Sequence, residues 1–326
     1  MDDVTFRPYR PGDEVAINEG FNEVFGLSRS LDEWRWKFPD QPEGRFIMLA
    51  LDPAGRVFAH YAAVAVPFQA QGRHVTAGQI VDIYSRREAR AGLAAAHVFR
   101  ATVRAFVTTF CRPERIAAAY GFPGTRHMSL VRIGVASLGE AEMPPLPVPV
   151  WTRPTARRGA RWPHHEVTNG FDAAAIDGVW LRAAHRYPVA VVRDAARARA
   201  RFLARPGVEY VHLVARRRSV PHAWGVVRLQ EASASLADLT WDGDDPRALA
   251  ALDRAVGDLA RRAGVIRAEM WLSGDPAAEE ALARLGWDRG LRPDGLAMAA
   301  YTFQTELDVS AFPALFYLTM GDADLV

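Results

Sequence analysis

The stretch QIVDIYSRREARAGLAAAHVFRATVRAF, residues 79–106, decides the fold of this chain. It predicts a strand from Ile80 to Tyr84, an arginine-rich turn, and a long helix that begins near Leu93. The turn holds three cations and two small residues: Arg86, Arg87, Arg90, Ala91 and Gly92. Backbone N–H groups and the dipole at a helix N-terminus favour an anion, and arginine adds bidentate contacts to phosphate. The segment therefore predicts an anion site on a strand–turn–helix unit.

The composition is that of an ordinary soluble globular protein. The 326 residues are enough for two domains, with 49% hydrophobic and 24% charged residues. A formal net charge of +2 gives no argument for binding nucleic acid or a membrane surface. Lys37 is the only lysine, so a cluster of arginines is weaker evidence here than in most chains. With no apolar leader and no run of 18 apolar residues, we expect a cytoplasmic protein.

Metal and disulfide chemistry have little support in the sequence. Cys111 is the sole cysteine, which excludes disulfides and cysteine-based metal sites within one chain. The pair His164-His165 has no matching cluster at zinc-ligand spacing. We predict no metal.

One order of elements occurs twice, on either side of a segment rich in proline and arginine. We predict a first domain over residues 1–145, a linker over 146–163 and a second domain over 164–326. The spacing Phe38-x-x-x-Pro42-x-x-x-Phe46 returns at Phe202, Pro206 and Tyr210, an offset of 164 residues, and Asp82 returns as Asp238 at an offset of 156. Offsets that shrink at loops are expected of a divergent duplication. Residues 296–307 alternate like a strand and are predicted to complete the second sheet.

This organisation resembles the GNAT superfamily of acyl-CoA-dependent N-acyltransferases. The resemblance rests on the strand–turn–helix segment and on the strand Ile116 to Tyr120, which runs into Gly121-Phe122-Pro123-Gly124. It implies an α/β fold with two GNAT-like domains in tandem, each a mostly antiparallel twisted sheet flanked by helices. It also implies that the turn binds the pyrophosphate of acetyl-CoA or another acyl-CoA, and that Ile83, Tyr84 and Ser85 hold the thioester carbonyl by backbone N–H groups. The turn departs from the family pattern, since Arg90 stands where the first glycine belongs.

The corresponding turn of the second copy has the opposite charge. After Asp238 the sequence continues LTWDGDDPRALAAL, with Asp242, Asp244 and Asp245 where the first copy has arginines. Carboxylates at a helix start are good caps, and they would repel a pyrophosphate. We predict that only the first copy binds an acyl-CoA.

Acyl transfer to an amine needs a base, a polarised carbonyl and a proton for the leaving thiolate. Asp82 is a candidate base, although its counterpart in the second copy favours a structural role for both aspartates. The tyrosine that the family places after the fifth strand is absent, which makes Tyr120 the nearest candidate acid and His127 a weaker one. Trp34 and Trp36 lie on a short helix that often covers the acceptor site in this family. They and His127 are candidates for substrate binding; alternatively, the two tryptophans pack that helix onto the sheet.

The sequence thus predicts an N-acyltransferase that moves an acyl group, acetyl in the first instance, from acyl-CoA to a small amine. It predicts neither nucleic acid nor membrane as a partner, and a monomer or homodimer. Two alternatives stay open. One is a catalytically inactive GNAT-fold module that binds a ligand or a partner, which the missing tyrosine and the altered turn favour. The other is a Fem-like transferase that uses aminoacyl-tRNA, against which the modest net charge argues.

Overall fold

The computed structural model describes residues 4–40, 45–86, 93–123, 145–156, 159–292, 294–303 and 306–324, with residues 93–96 described by their backbone alone. The chain divides into two compact units. The first contains Met1–Pro67, His74–Leu146 and Ala297–Ser310, and the second contains Phe68–Arg73, Pro147–Leu296 and Ala311–Val326.

The elements up to residue 121 have the following bounds: β1 Thr5–Pro8, α1 Glu14–Phe25, α2 Leu31–Lys37, β2 Phe46–Leu51, β3 Val57–Ala70, β4 Arg73–Ser85, α3 Leu93–Phe110 and β5 Ala118–Gly121. Those from residue 146 onward are β6 Leu146–Pro147, β7 Pro149–Pro154, β8 His165–Asn169, α4 Ala173–Ala183, β9 Val189–Val191, α5 Ala195–Ala198, β10 Val211–Arg217, β11 Val220–Leu229, β12 Ala234–Trp241, α6 Pro246–Arg262, β13 Arg267–Trp271, α7 Pro276–Arg284, β14 Asp288–Leu291, β15 Ala297–Thr302, α8 Phe312–Leu315 and β16 Phe316–Tyr317. A π-helical turn, Arg199–Leu203, extends α5.

The sheet of the first unit runs in the order β1-β2-β3-β4-β5-β15. The pairs β1–β2, β2–β3 and β5–β15 are antiparallel, whereas β4 and β5 are parallel. Its two faces are covered by different helices, because one apolar cluster contains Phe106 of α3 and another contains Ile17 of α1 and Trp34 of α2. Burial on both faces explains why β2 reads FIMLAL, an unbroken apolar run.

The second unit has its own mixed sheet of seven strands, in the order β14-β7-β13-β12-β11-β10-β8. Here β12 and β13 form the parallel pair. The end of β3, Phe68–Ala70, pairs with β9, which in turn pairs with β16. The predicted fold class is confirmed: an α/β chain with two mixed sheets flanked by helices.

Two boundaries differ from the predicted ones. Residues 149–154 lie in the predicted linker, but they form β7, which pairs with β13 and β14 and buries Trp151. Its prolines stand at the two ends of the strand, where they do not interrupt the ladder. The strand predicted within residues 296–307 exists as β15, but it pairs with β5 of the first unit and not with the second sheet.

Candidate active site

Strand β4 carries a bulge at Asp82. Side chains of a regular strand alternate between its faces, but Ile80 and Ile83 both pack on the α3 face, and Val81 and Tyr84 both pack on the opposite face. Each pair is three residues apart, which requires one extra residue in the strand. Asp82 supplies it with a φ of +52°, a left-handed conformation that aspartate tolerates better than most residues.

The parallel strands β4 and β5 separate beside this bulge. Their pairing runs from Ala77–Ala118 to Ile80–Gly121, whereas β4 continues to Ser85. After Gly121, no described residue continues the pairing of β5 with β4. Strands that diverge leave backbone N–H and C=O groups that need partners, and an extended ligand can supply them. The opening between the two strands is therefore suited to a linear molecule with amide groups.

The Asp82 side chain connects β4 to the helices on one face of the sheet. It forms ion pairs with Arg29, from the loop between α1 and α2, and with Lys37, the last residue of α2, whose Nζ lies 2.5 Å from Oδ1. Burial would raise the pKa of the Asp82 carboxyl, but the nearby Lys37 and Arg29 charges outweigh it and hold that pKa below its usual value. A carboxylate held ionised between two cations is a weak proton acceptor. The geometry thus favours a structural role for Asp82 over the predicted role as base.

His60 supports the bulge from the neighbouring strand β3. Its Nδ1–H donates to the Asp82 carbonyl oxygen at 2.7 Å, and its ring stacks on Tyr84 with 5.2 Å between centroids. Burial lowers the pKa of His60 to about 4, although the nearby Asp82 raises it, so the ring is neutral. The sequence analysis missed this residue. A single histidine within the otherwise apolar VFAHYAAVAV was the available signal.

The second unit contains a buried arginine–aspartate pair equivalent to Arg29 and Asp82. Arg193 Nε donates to Asp238 Oδ1 at 3.0 Å, and both side chains are buried. Arg193 follows Arg29 by 164 residues, the offset of the predicted repeat, and Asp238 follows Asp82 by 156. Arg193 thus fits the repeat spacing that the sequence predicts. Its spacing alone does not single it out, because arginine is common throughout this chain.

In the second unit, the C-terminal segment Phe316–Asp322 lies beside Asp238. Tyr317 Oη donates to the carbonyl of Leu239 in β12 at 2.7 Å, and Leu318 forms a bridge with Ser273, two residues beyond β13. The parallel strands β12 and β13 pair over only two residue positions. The segment therefore contacts both strands after they diverge, where the first unit has its opening.

Trp34 does not have the predicted role in substrate binding. It is fully buried and packs against Phe38 and Tyr9, because its helix faces the sheet through this residue. Trp36, two residues later on α2, is half-buried, and its role in acceptor binding stays a prediction. The interpretation that the helix packs onto the sheet through its aromatic residues holds for Trp34.

Arg86 is also not available as a phosphate contact. Its side chain is buried, its Nε donates to the Val57 carbonyl at 2.9 Å, and its Nη1 is paired with Glu23. Arg87, Arg90, Ala91 and Gly92 lie outside the described residues, as does His127, and for Leu93 only the backbone is described. The phosphate turn thus stays a prediction, and it rests on the arginines after Arg86.

The other predicted site residues lie near the point where β4 and β5 stop pairing. Ile83 packs with the α3 cluster, and Tyr84 is buried with its Oη donating to the Ile17 carbonyl at 3.0 Å. Ser85, half-buried, is the last residue of β4. Tyr120 is buried one residue before the last β4–β5 pair, and its role as acid stays a prediction.

Of the three aspartates of the second turn, Asp245 acts as the predicted cap. Asp245 caps α6 by accepting from the backbone N–H of Arg247 at 2.9 Å, and it also pairs with His165. Asp242 is buried and pairs with His222 and Arg182. This turn is therefore stabilised internally by its own anions.

Neither a metal cluster nor a membrane-spanning helix is found in the described part of the chain. No group of three or more His, Cys, Asp or Glu residues is placed there to hold a metal ion. None of the helices described is both long and apolar enough to cross a bilayer.

Comparisons with known proteins identify the fold. No protein-family model matches the sequence, and no curated protein matches it significantly. Among solved structures, a GCN5-related N-acetyltransferase from Anabaena variabilis superposes with a TM-score of 0.68 at 10% identity, over 92% of this chain and 73% of that one. One from Kribbella flavida gives 0.64 at 13% identity, over 91% and 70%. The N-myristoyltransferase of Saccharomyces cerevisiae, with bound myristoyl-CoA, gives 0.55 at 12% identity, over 92% and 83%. At these identities the likeness shows the fold alone, which is that of the GNAT proteins.

Proposed function

We propose that this chain is an acyl-CoA-dependent N-acyltransferase that uses acetyl-CoA, acts on a small amine by direct transfer, and binds its donor in the first unit. The observation that carries the proposal is the bulge at Asp82 beside the divergence of β4 from β5. Beyond Ile80 no described residue of β5 pairs with β4, so a linear donor can lie beside that part of the strand, and the bulge turns the Asp82 carbonyl toward His60. The GNAT fold of the solved relatives supports the same reading.

The reaction needs few groups from the protein. The amine, once it has lost a proton, attacks the thioester carbonyl carbon, an N–C bond forms, and the C–S bond breaks. The thiolate then takes up a proton, so that the products are an amide and free CoA. Backbone N–H groups of Ile83 to Ser85 would stabilise the oxyanion, a contribution worth about 3–4 kcal/mol for one good donor. Tyr120 is the proposed proton donor to the thiolate.

The donor is tested by a thermal melt with acetyl-CoA. A ligand at 100 times its dissociation constant stabilises the folded protein by about 2.7 kcal/mol, which is a clear rise in melting temperature. The double variant Arg87→Ala/Arg90→Ala removes the two predicted phosphate contacts and should lose most of that rise. A matched control is Arg35→Ala/Arg56→Ala, which removes two exposed arginines of the same unit and should keep it.

The outcomes separate the candidate functions. Absence of a shift at millimolar acetyl-CoA would contradict acetyl-CoA as the donor. A shift without release of CoA thiol across a panel of amines would favour the inactive binding module, whose support is the missing tyrosine and the altered turn.

A further inference from the structure

The two buried arginine–aspartate pairs differ in one respect. In the second unit, Arg193 Nε holds Asp238, while Nη2 donates to the carboxylate of Asp322 at 2.6 Å and to Thr319 Oγ1 at 3.1 Å. Asp322 belongs to the C-terminal segment that lies between the diverging strands. Arg193, in the loop after β9, thus binds two carboxylates, one from strand β12 and one from the C-terminal segment.

Among the described residues of the first unit, the second carboxylate has no counterpart. Arg29 Nη1 holds Asp82 and its Nε donates to Asn18 Oδ1 at 2.8 Å. The third nitrogen, Nη2, is buried and has no hydrogen-bond partner among the described residues. The Arg29 side chain is only 10% exposed. A buried guanidinium nitrogen without an acceptor is costly, and each such group calls for an explanation.

The charges of Arg29, Lys37 and Asp82 also indicate that Arg29 can bind a further anion. Asp82 accepts from both Arg29 and Lys37, so these three side chains together carry one positive charge. In the second unit, Arg193 alone faces two carboxylates. An anion delivered to Arg29 would neutralise the surplus positive charge of the first-unit cluster.

We infer that Arg29 binds a carboxylate of the acceptor, so that the substrate is an amine that also carries a carboxylate, such as an amino acid. This inference rests on the proposed function and specifies its acceptor. Arg29 is bonded directly to the bulge residue, and the amine of an α-amino acid is two bonds from its carboxylate carbon. A carboxylate at Nη2 would therefore hold the amine near the Asp82 cluster, because Nη1 of the same guanidinium is bound to Asp82.

The surroundings of Arg29 suggest an apolar amino acid. The guanidinium carbon lies 3.7 Å from the Phe21 ring centroid, and Phe21 is 4.8 Å from the Phe25 ring. Phe25 and Leu27, at the end of α1 and just after it, are 43% and 56% exposed. Phe21 thus places an apolar ring on the Arg29 guanidinium, and Phe25 continues that apolar contact to an exposed side chain.

The first test compares acceptors that differ only in the carboxylate. L-phenylalanine, L-leucine and L-methionine are each paired with the amine left by decarboxylation, and CoA thiol release is measured with the wild-type chain. Because hydrogen bonds to charged groups are the stronger ones, we expect at least one amino acid to have a kcat/KM about tenfold or more above its amine. Turnover of the amines at equal or higher kcat/KM would overturn the inference and leave the proposed function intact.

The second test needs no turnover. Each amino acid is titrated into the protein by calorimetry, without acetyl-CoA, for the wild type and for Arg29→Lys. Lysine keeps the charge beside Asp82 but has no guanidinium edge, so it should weaken carboxylate binding about tenfold. Arg35→Lys, which changes an exposed arginine paired with Asp32 in the same unit, should not. If no amino acid binds, or if Arg29→Lys binds as the wild type does, the inference fails; a failure of acetyl-CoA binding alone would concern only the proposed function.

Discussion

Asp82 combines an unusual backbone conformation with a buried charge, and each depends on the other. The left-handed φ directs the carboxylate toward Arg29, in the loop between α1 and α2, and toward Lys37 at the end of α2. Those cations then hold the residue in place, and His60 donates to its carbonyl oxygen. Since Asp238 makes the equivalent pair with Arg193, the simplest role common to both residues is to fix a strand next to its divergence.

We expect Asp82→Asn to destabilise the first unit by about 3–5 kcal/mol, because it leaves two buried cations without their carboxylate. Asparagine also tolerates a positive φ, so backbone strain does not confuse the result. Urea unfolding measures the effect. Asp52→Asn, at an exposed pair with Arg56, is the control and should unfold like the wild type. An Asp82→Asn protein of unchanged stability would show that the ion pairs do not support the fold.

His60 gives the chain a defined response to acid. Its pKa is about 4 in the folded protein, against about 6.5 when unfolded, so below pH 6.5 the unfolded chain binds a proton that the folded chain does not. This contribution to stability is complete above pH 6.5 and declines as the pH falls toward 4. Between pH 7.5 and 5 the loss is about 2 kcal/mol.

Urea unfolding at several pH values tests this. We expect His60→Asn, whose amide can still donate to the Asp82 carbonyl, to have a shallower pH dependence than the wild type over this range. His74→Asn, at an exposed position of β4, should keep the wild-type slope. The Asp82 carboxylate acts in a separate window. Its folded pKa is lowered, so its contribution is present above about pH 4 and is lost as the pH falls further.

At the scale of elements, α1 is held against β4 by a close contact at Gly20. A Cβ on Gly20 would lie 2.6 Å from the Tyr84 hydroxyl, which donates to the Ile17 carbonyl on the same helix. Gly20→Ala must displace that ring or the helix, and we expect a loss of about 1–3 kcal/mol in a thermal or urea melt.

Gly178 on α4 is the matched control for this contact. A Cβ there would meet only Arg182 Nη1, at 3.7 Å. Gly178→Ala should therefore raise stability by roughly 0.5–1 kcal/mol, the ordinary gain from replacing glycine within a helix. If both variants change stability in the same direction, the contact with Tyr84 does not limit the approach of α1.

Local patterns predicted the elements well where they depend on local physics. The strand that carries Asp82, the helix that begins at Leu93, the apolar run of β2 and the Asp245 cap all follow from periodicity or from capping chemistry. Alternation shows that a strand exists but not which strand it joins, which is why β15 was placed in the wrong sheet. Charge alone likewise could not separate Arg86, which is buried against Val57 and Glu23, from its neighbours in the turn.

At the scale of the whole molecule, the two units share an architecture but not an opening. The C-terminal segment of the second unit is buried along β12, with the Tyr317 ring 3.9 Å from that of Tyr187 and Arg201 Nη2 donating to the Ala323 carbonyl at 2.6 Å. The sequence could show that a second copy exists and that its turn is acidic. It could not show that the C-terminal segment returns to lie along β12 of that copy, because this contact joins residues far apart in the chain.

We therefore expect one acetyl-CoA to bind per chain. Isothermal titration calorimetry gives the stoichiometry directly, and Arg87→Ala/Arg90→Ala should remove the whole binding heat instead of half of it. Two equivalents per chain, or half the heat remaining in that variant, would mean that the second unit accepts a donor in spite of its tail.

Lys37 has a further consequence for a protein proposed to work with a reactive thioester. Acyl-CoA modifies exposed ε-amino groups slowly and without an enzyme, and a neutral amine is the form that reacts. This chain has a single lysine, whose side chain is 12% exposed and whose ammonium is bound to Asp82. Every other cationic side chain at neutral pH is an arginine or a histidine, and guanidinium groups do not form amides under these conditions. The folded protein thus presents its own donor with almost no side-chain amine to acylate, and is protected from self-modification.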